Sequence, residues 1–233
     1  LGELLRYNGT TFLNNLSIVC VAMREGPAKL NYDCTMDEIV NSSNLSVTHR
    51  LAIFINTITE ELMEKNKQLN DMLYKAAHDA LTGLLNRGAI EHLIYDTADE
   101  NSEEYCSTWH LIMLDIDDFK ALNDEYGHNA GDNALKSLAK YLNQDVRCLD
   151  SSEAGRWGGE EFMIIIKGYE DNEALNLAEK IRKDLNLIPS PSGNFSVSIG
   201  VTRHDNEETV LATIDRVDSL LYAAKDSGKN KVC

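Results

Sequence analysis

The stretch Glu153-Ala-Gly-Arg-Trp-Gly-Gly-Glu-Glu-Phe-Met-Ile-Ile-Ile-Lys167 decides how the rest of the chain is read. Its second half, Phe162 to Ile166, is an apolar run of strand length rich in β-branched residues. Ahead of it stand paired glycines, Gly158-Gly159, which supply the positive φ angles that tight hairpin turns need. The segment predicts a β-hairpin over 153–167 that turns at Gly158-Gly159 and displays Glu160-Glu161 immediately after the turn. Upstream, Leu111 to Ile116 reads as a buried strand whose end is acidic, Asp115-Ile116-Asp117-Asp118. If the two strands are neighbours, the two acidic clusters converge. Converging carboxylates repel each other at neutral pH, and the usual resolution is a divalent cation on hard oxygen ligands, most often Mg²⁺ where phosphates complete its shell. For either cluster alone the ordinary reading is solvated surface. That both are held by apolar strands weighs against it.

Outward from this pair, short apolar runs alternate with amphipathic helices after His78. Helices are expected over Phe119 to Tyr126, Ala130 to Leu149, Glu173 to Leu187 and Glu207 to Ser227, with a third strand over Phe195 to Val201. This is an α/β (α+β) domain over residues 78–233, with helices flanking a mixed sheet. Residues 1–50 mix apolar stretches with a Gly26-Pro27 break and predict an N-terminal helical region. From Leu51 the apolar residues follow a 3-4 alternation, Leu51, Ile55, Ile58, Leu62, Leu69, Met72 and Ala76, interrupted at Lys65. A helix over 51–77 with this stripe either forms the seam of a short parallel coiled coil or packs on the N-terminal helices of its own chain.

Composition bounds the class. With 43% hydrophobic and 26% charged residues the chain is an ordinary globular one. Its formal charge of -16 is uneven. Residues 1–77 hold 7 basic and 9 acidic side chains, whereas residues 78–233 hold 15 and 29. Such a field repels nucleic-acid backbones and anionic lipid surfaces, so neither is an expected partner. A small polyphosphate remains compatible, given metal ions and local cations. Five scattered cysteines without a C-x-x-C pair read as reduced thiols of a cytoplasmic protein. No stretch has the roughly 18 to 20 apolar residues needed to cross a bilayer, so no membrane contact is expected of this segment. The chain begins at Leu1 rather than Met, as an excised piece would, which leaves room for an upstream sensor domain.

Two phosphate- or cation-binding motifs fail on spacing. There is no G-x-x-x-x-G-K-[ST] loop. An EF-hand starting at Asp115 would need Gly at its sixth and Glu at its twelfth position, where Lys120 and Tyr126 stand.

Five ordered segments do carry a resemblance. Gly158-Gly159-Glu160-Glu161-Phe162 resembles the signature loop of the GGDEF diguanylate cyclases, in the variant with Glu at the third position. Asp79-Ala-Leu-Thr-Gly-Leu-Leu-Asn-Arg87, Asp115-Ile-Asp-Asp-Phe-Lys120, Asn123-Asp-Glu-Tyr-Gly-His128 through Gly131-Asp132, and Leu221-Tyr-Ala-Ala-Lys225 through Gly228-Lys-Asn230 agree with the same family in the same order. The likeness covers about residues 78–233.

The resemblance implies condensation of two GTP into cyclic di-GMP by a homodimer with facing half-sites. It implies two Mg²⁺ per active site, with Mn²⁺ as a substitute, on Asp115, the Ile116 carbonyl and Glu160. Glu160 and Lys120 are then catalytic. Asn123, His128, Asp132, Phe119, Gly159, Lys225 and Lys229 are implied to bind substrate, Asn123 and Asp132 by pairing with guanine rather than adenine. For His128 the alternative is a capping or core histidine, and for Lys120 a solvent-facing one. Asp79, Gly83, Asn86 and Arg87 read as structural. Dimeric catalysis favours the coiled-coil reading of residues 51–77. Many family members carry an inhibitory product site, R-x-x-D, five residues before the signature, whereas here Arg147-Cys-Leu-Asp150 stands seven residues before Gly158. Either the two extra residues bulge out and Arg147 and Asp150 still bind product, or the match is accidental. The rival to an active cyclase is a catalytically silent domain that binds GTP or cyclic di-GMP as a receptor. The retained glycines and acids favour the enzyme.

Overall fold

The computed structural model describes residues 47–146, 152–191 and 193–233. The helices expected in residues 1–46 lie outside the described residues. The chain divides into two units, Leu1–Asp71 and Met72–Cys233. Helix α1, Val47–Ala77, contributes to both. Along it Ile58, Leu62, Leu69 and Met72 of the apolar stripe are exposed, Leu62 at 58% and Leu69 at 53%. No described helix is long and apolar enough to cross a membrane.

The second unit is built on a four-stranded sheet. Its elements in order are α2 (Arg87–Ala98), β1 (Trp109–Ile116), α3 (Phe119–Tyr126), α4 (His128–Tyr141), β2 (Ser152–Gly158), β3 (Glu161–Lys167), α5 (Asp171–Leu185), the two-residue strands β4 (Pro189–Ser190) and β5 (Gly193–Asn194), β6 (Val197–Arg203) and α6 (Val210–Asp226). The sheet order is β2-β3-β1-β6. All eight residues of β1 are buried, as are five of the seven of β3. That is why these central strands read as continuous apolar runs rather than as alternating ones.

Helices cover both faces. On one, Ile112, Leu114, Phe162 and Ile164 pack with Leu135 and Leu138 of α4 and Ala178 and Ile181 of α5. On the other, Leu111, Met113, Met163 and Ile165 pack with Ile90 and Ile94 of α2 and Val217 and Leu221 of α6. The expected α/β architecture is present. Its sheet differs from a mixed one in detail, because every pairing among the four strands is antiparallel. Among the described residues, parallel pairing is confined to two single bridges on the edge strands, Leu85 with Gly155 and Ile199 with Val232. These bridges cover edges that would otherwise present unpaired backbone groups.

Three other local readings shift. The amphipathic pattern expected to run helical to Leu149 is α-helical to Tyr141, Leu142–Val146 continues as a π-helical turn, and residues 147–149 lie outside the described residues. The hairpin's two-residue loop is Gly159-Glu160, not Gly158-Gly159, because Gly158 still pairs with Glu161 across a bulge after Arg156. Of the two glycines only Gly159 has positive φ, +50°. Helix α2, which the sequence reading did not single out, starts at an Asn86 cap whose side chain accepts from Ala89 N–H at 3.0 Å. Such a cap contributes about 1 kcal/mol.

Gly200 on β6 allows α6 to approach the sheet. A Cβ there would collide with the Val217 carbonyl and stand 2.6 Å from Leu221 N, backbone atoms that cannot move aside separately. Gly158 has no atom within 4 Å of the corresponding position. Gly200→Ala is expected to lower stability in urea unfolding by about 1–3 kcal/mol through overpacking, while Gly158→Ala stays within about 0.5 kcal/mol.

Candidate functional site

β1 delivers Asp115 to the end of the sheet. Its alternation puts Trp109, Leu111, Met113 and Asp115 on one face, the face covered by α6. In the β1–β3 ladder Asp115 stands directly opposite Glu161, the first residue after the hairpin turn, and Glu160 lies in the turn itself. The two acidic clusters therefore do sit on neighbouring strands. On α6 the inward stripe Val210, Ile214, Val217, Leu221 continues one turn later to Lys225, whose Nζ is 2.7 Å from Asp115 Oδ2.

Asp115 is 4% exposed. Burial pushes its carboxyl up to about 6; the Lys225 ammonium opposes this, and the charges of Glu160 and Glu161 add to it. Burial raises Glu161 as well, with Lys225 opposing. Lys225 thus opposes burial at both Asp115 and Glu161, with Arg87 acting on Glu161 as well. Among the described residues no three acidic, histidine or cysteine side chains converge on one metal position by themselves. A cation here would need backbone or ligand oxygens to complete its shell.

The other two acids after β1 have different surroundings. Asp117 accepts from Ser196 Oγ at 2.8 Å, Ser198 Oγ at 2.7 Å and Asn230 N–H at 3.0 Å. A carboxylate so occupied fixes structure rather than receiving a ligand. Asp118 stands at the N-cap position of α3 with φ of 56° and no capping hydrogen bond from its side chain, and its Oδ1 is 2.5 Å from Lys229 Nζ.

Next to these acids α3 and α4 close on each other at Asn123 and Gly131. A Cβ on Gly131 would overlap Asn123 Oδ1 and meet Phe119 Cζ at 3.0 Å, so only glycine leaves this amide in place. Asn123 Oδ1 is buried without a hydrogen-bond partner, which is costly unless something else supplies a donor. Asp132 is half-buried on the first turns of α4, while His128, at the start of that helix, and Lys120 on α3 are exposed. His128 is therefore not a core histidine. Arg147 and Asp150 lie outside the described residues.

Sequence reading missed the fastening of the hairpin. Arg156 donates from Nε and Nη2 to the Gly159 carbonyl at 2.9 and 2.7 Å, and from Nη1 to Asp79 Oδ1 at 3.2 Å. Asp79 Oδ1 also accepts from Thr82 N–H and Oγ1 at 2.9 and 2.7 Å. Asn86 donates to the Ala76 carbonyl at 2.6 Å. The segment 79–87 thus joins the end of α1 to the turn that carries Glu160. Arg87 lies 4.6 Å over the Trp157 ring, beside the same turn. The only sequence signal was that Asp79 and Arg156 flank motifs; nothing paired them.

Comparison with known proteins gives a consistent picture. The family model described as "Diguanylate cyclase, GGDEF domain" matches residues 76–231. The chain is 40% identical over 181 residues to the diguanylate cyclase DgcM of Escherichia coli K12, covering 76% of this chain and 42% of that protein. It is 34% identical over 185 residues to the diguanylate cyclase VdcA of Vibrio cholerae, covering 76% and 52%. The chain thus spans about half the length of these curated relatives. Among solved structures, the coiled coil and GGDEF domain of DgcB from Caulobacter crescentus, in complex with c-di-GMP, matches with a TM-score of 0.69 at 30% identity over 78% of this chain and 97% of that one. The diguanylate cyclase SiaD of Pseudomonas aeruginosa, in complex with its activator SiaC, matches with a TM-score of 0.63 at 26% identity, covering 99% and 88%.

The buried acid has a measurable cost. Its folded-state value is raised from 3.8 to about 6, so its contribution to stability is fully present below about pH 4 and is lost as pH rises through about 6. In metal-free buffer Asp115→Asn is expected to be more stable than the parent at about pH 8, by on the order of 1–3 kcal/mol, and to differ little near pH 4. Thermal unfolding at the two pH values checks this.

Proposed function

The chain belongs to the GGDEF diguanylate cyclase family, and from that membership and the acidic corner between β1 and the hairpin we propose that it condenses two GTP into cyclic di-GMP and two pyrophosphates. The observation that carries the reading is Asp115, a buried carboxylate set opposite Glu161 and beside Glu160 with a single lysine against it. A divalent metal fits that donor set, because the oxygens are hard and the local charge is in deficit of cations. Asp115, the Ile116 carbonyl and Glu160 would hold Mg²⁺, two ions per site with Mn²⁺ as a substitute, and nucleotide phosphates would fill the remaining positions. When bound, the metal stabilises charge on the entering and leaving oxygens of an in-line displacement.

The chain's own residues do the rest. Asn123 and Asp132 accept hydrogen bonds from the guanine N1–H and N2–H groups, which the unpartnered Asn123 Oδ1 favours; adenine lacks that donor set. Phe119, Gly159 and His128 border the nucleotide. Lys225 and Lys229 stand on Asp115 and Asp118, where their charges meet the terminal phosphates, and Lys120 offsets charge developing on the reacting one. Glu160 accepts the proton of the attacking ribose 3′-hydroxyl. A bond forms from O3′ to the α-phosphorus of the second GTP as the bond to pyrophosphate breaks.

Each site holds one GTP, so two copies must face each other. The exposed stripe Ile58, Leu62, Leu69 and Met72 of α1 supports a parallel pairing of helices 51–77 that sets their separation, with residues 1–50 as a sensing or dimerising region and 78–233 as the cyclase domain.

Incubated with GTP and Mg²⁺ and followed by chromatography, the chain is expected to form cyclic di-GMP at a rate per chain that rises with protein concentration. Glu160→Gln should lower it at least about a hundredfold. GTP binding without product at any protein concentration would favour a receptor instead.

A further inference from the structure

Beyond α6 the backbone takes a bend that needs external support. Lys229 and Asn230 have φ of 60° and 47°, a left-handed conformation that asparagine tolerates and lysine seldom adopts. Consecutive residues of this kind persist only where surrounding contacts hold them. Besides the Lys229 N–H bond to the Ala224 carbonyl at 3.1 Å, which closes the end of α6, three contacts to other parts of the chain do so here. Asn230 N–H donates to Asp117 Oδ2 at 3.0 Å. The Lys231 carbonyl accepts from Ile199 N–H on β6 at 2.8 Å. Asn230 Oδ1 accepts from Arg182 Nη1 at 2.8 Å.

The third is the informative one, because Arg182 belongs to α5 and lies 48 residues away in sequence. Its guanidinium is aimed before it reaches Asn230. One turn earlier on α5, Glu179 Oε2 accepts from Arg182 Nε at 3.2 Å and from Nη2 at 3.0 Å. This two-pronged pairing leaves Nη1 for Asn230. A surface i,i+3 ion pair alone would mean little. This one orients a planar donor, which a lysine cannot imitate.

The bend has one outward product, the Lys229 ammonium at the rim of the acidic corner, on Asp118. We infer that Arg182 is a positioning residue: through Asn230 it holds the 229–230 bend and so aims Lys229 at the terminal phosphates of the bound nucleotide. This rests on the proposed function, since it assigns a remote determinant to the same site. Arg182 touches no reacting atom. Its effect should fall on the polyphosphate end of the nucleotide and spare the guanosine end, which α3 and α4 bind.

The test uses the full chain, a non-hydrolysable GTP analogue with Mg²⁺ measured by calorimetry, and GMP measured by ligand-observed NMR. Arg182→Met and Arg182→Lys delete or blunt the donor. Asn230→Gly deletes the acceptor while permitting positive φ, and it carries the test if the arginine variants fold poorly. Each is expected to bind the triphosphate analogue about tenfold more weakly, while GMP binding stays within about twofold. The Arg182→Met/Asn230→Gly double variant should be no worse than either single one. Undiminished triphosphate binding, or equal losses for GMP and the analogue, would overturn the inference. If the parent itself binds neither ligand, the proposed function fails and this inference with it.

Discussion

A carboxylate removed from water repels any like charge nearby and attracts whatever cation can reach it. Asp115 is in that position because β1 is buried along its whole length and its second-last residue is an acid. The surrounding structure follows from managing that charge. The inward stripe of α6 extends to Lys225, which meets Asp115 directly. The hairpin brings two further acids, and Arg156 fixes the turn that carries one of them. Asp117 binds the Ser196 and Ser198 hydroxyls and the returning C-terminal segment. Lys225 meets Asp115 directly while Lys229 and Arg87 act from the rim, and the acids still outnumber these cations, the condition under which a metal-bound polyphosphate is a welcome ligand in a domain that is otherwise strongly acidic.

Much of this was legible in the sequence because the informative residues are adjacent. Strands β1 and β3 announce themselves as apolar runs, and their acidic ends are contiguous with them. Helix α3 has the predicted bounds, since Phe119, Leu122 and the Gly127 break leave little choice. Less was legible where the outcome depends on residues far apart. Arg156 finds Asp79 across 77 residues and Arg182 finds Asn230 across 48, and no periodicity encodes such pairings. The hairpin turn shifted by one residue because a bulge after Arg156 consumed Gly158 in the ladder. The antiparallel character of the sheet was not written in any one strand.

The first unit raises a different question of partnership. Leu62 and Leu69 are more than half exposed on α1, at spacings suited to a second helix. The proposed reaction between two GTP molecules held in separate copies would need such a pairing, a requirement that the exposed stripe could meet. Segment 79–87 lies between the end of α1 and the Gly159-Glu160 turn, which gives a change in that helix a short mechanical route to the acid that would act in catalysis.

In the proposed reaction the corner formed by Asp115, Ile116 and Glu160 receives metal-bound GTP while Asn123 receives its base. Crystals grown with Mn²⁺ and a non-hydrolysable GTP analogue test it most directly through the anomalous scattering of the metal. Anomalous peaks are expected between Asp115 and Glu160, with guanine against Asn123 and Asp132 and Lys225 drawn from Asp115 toward phosphate. Metal and nucleotide bound elsewhere, with the Lys225–Asp115 pair intact, would contradict it.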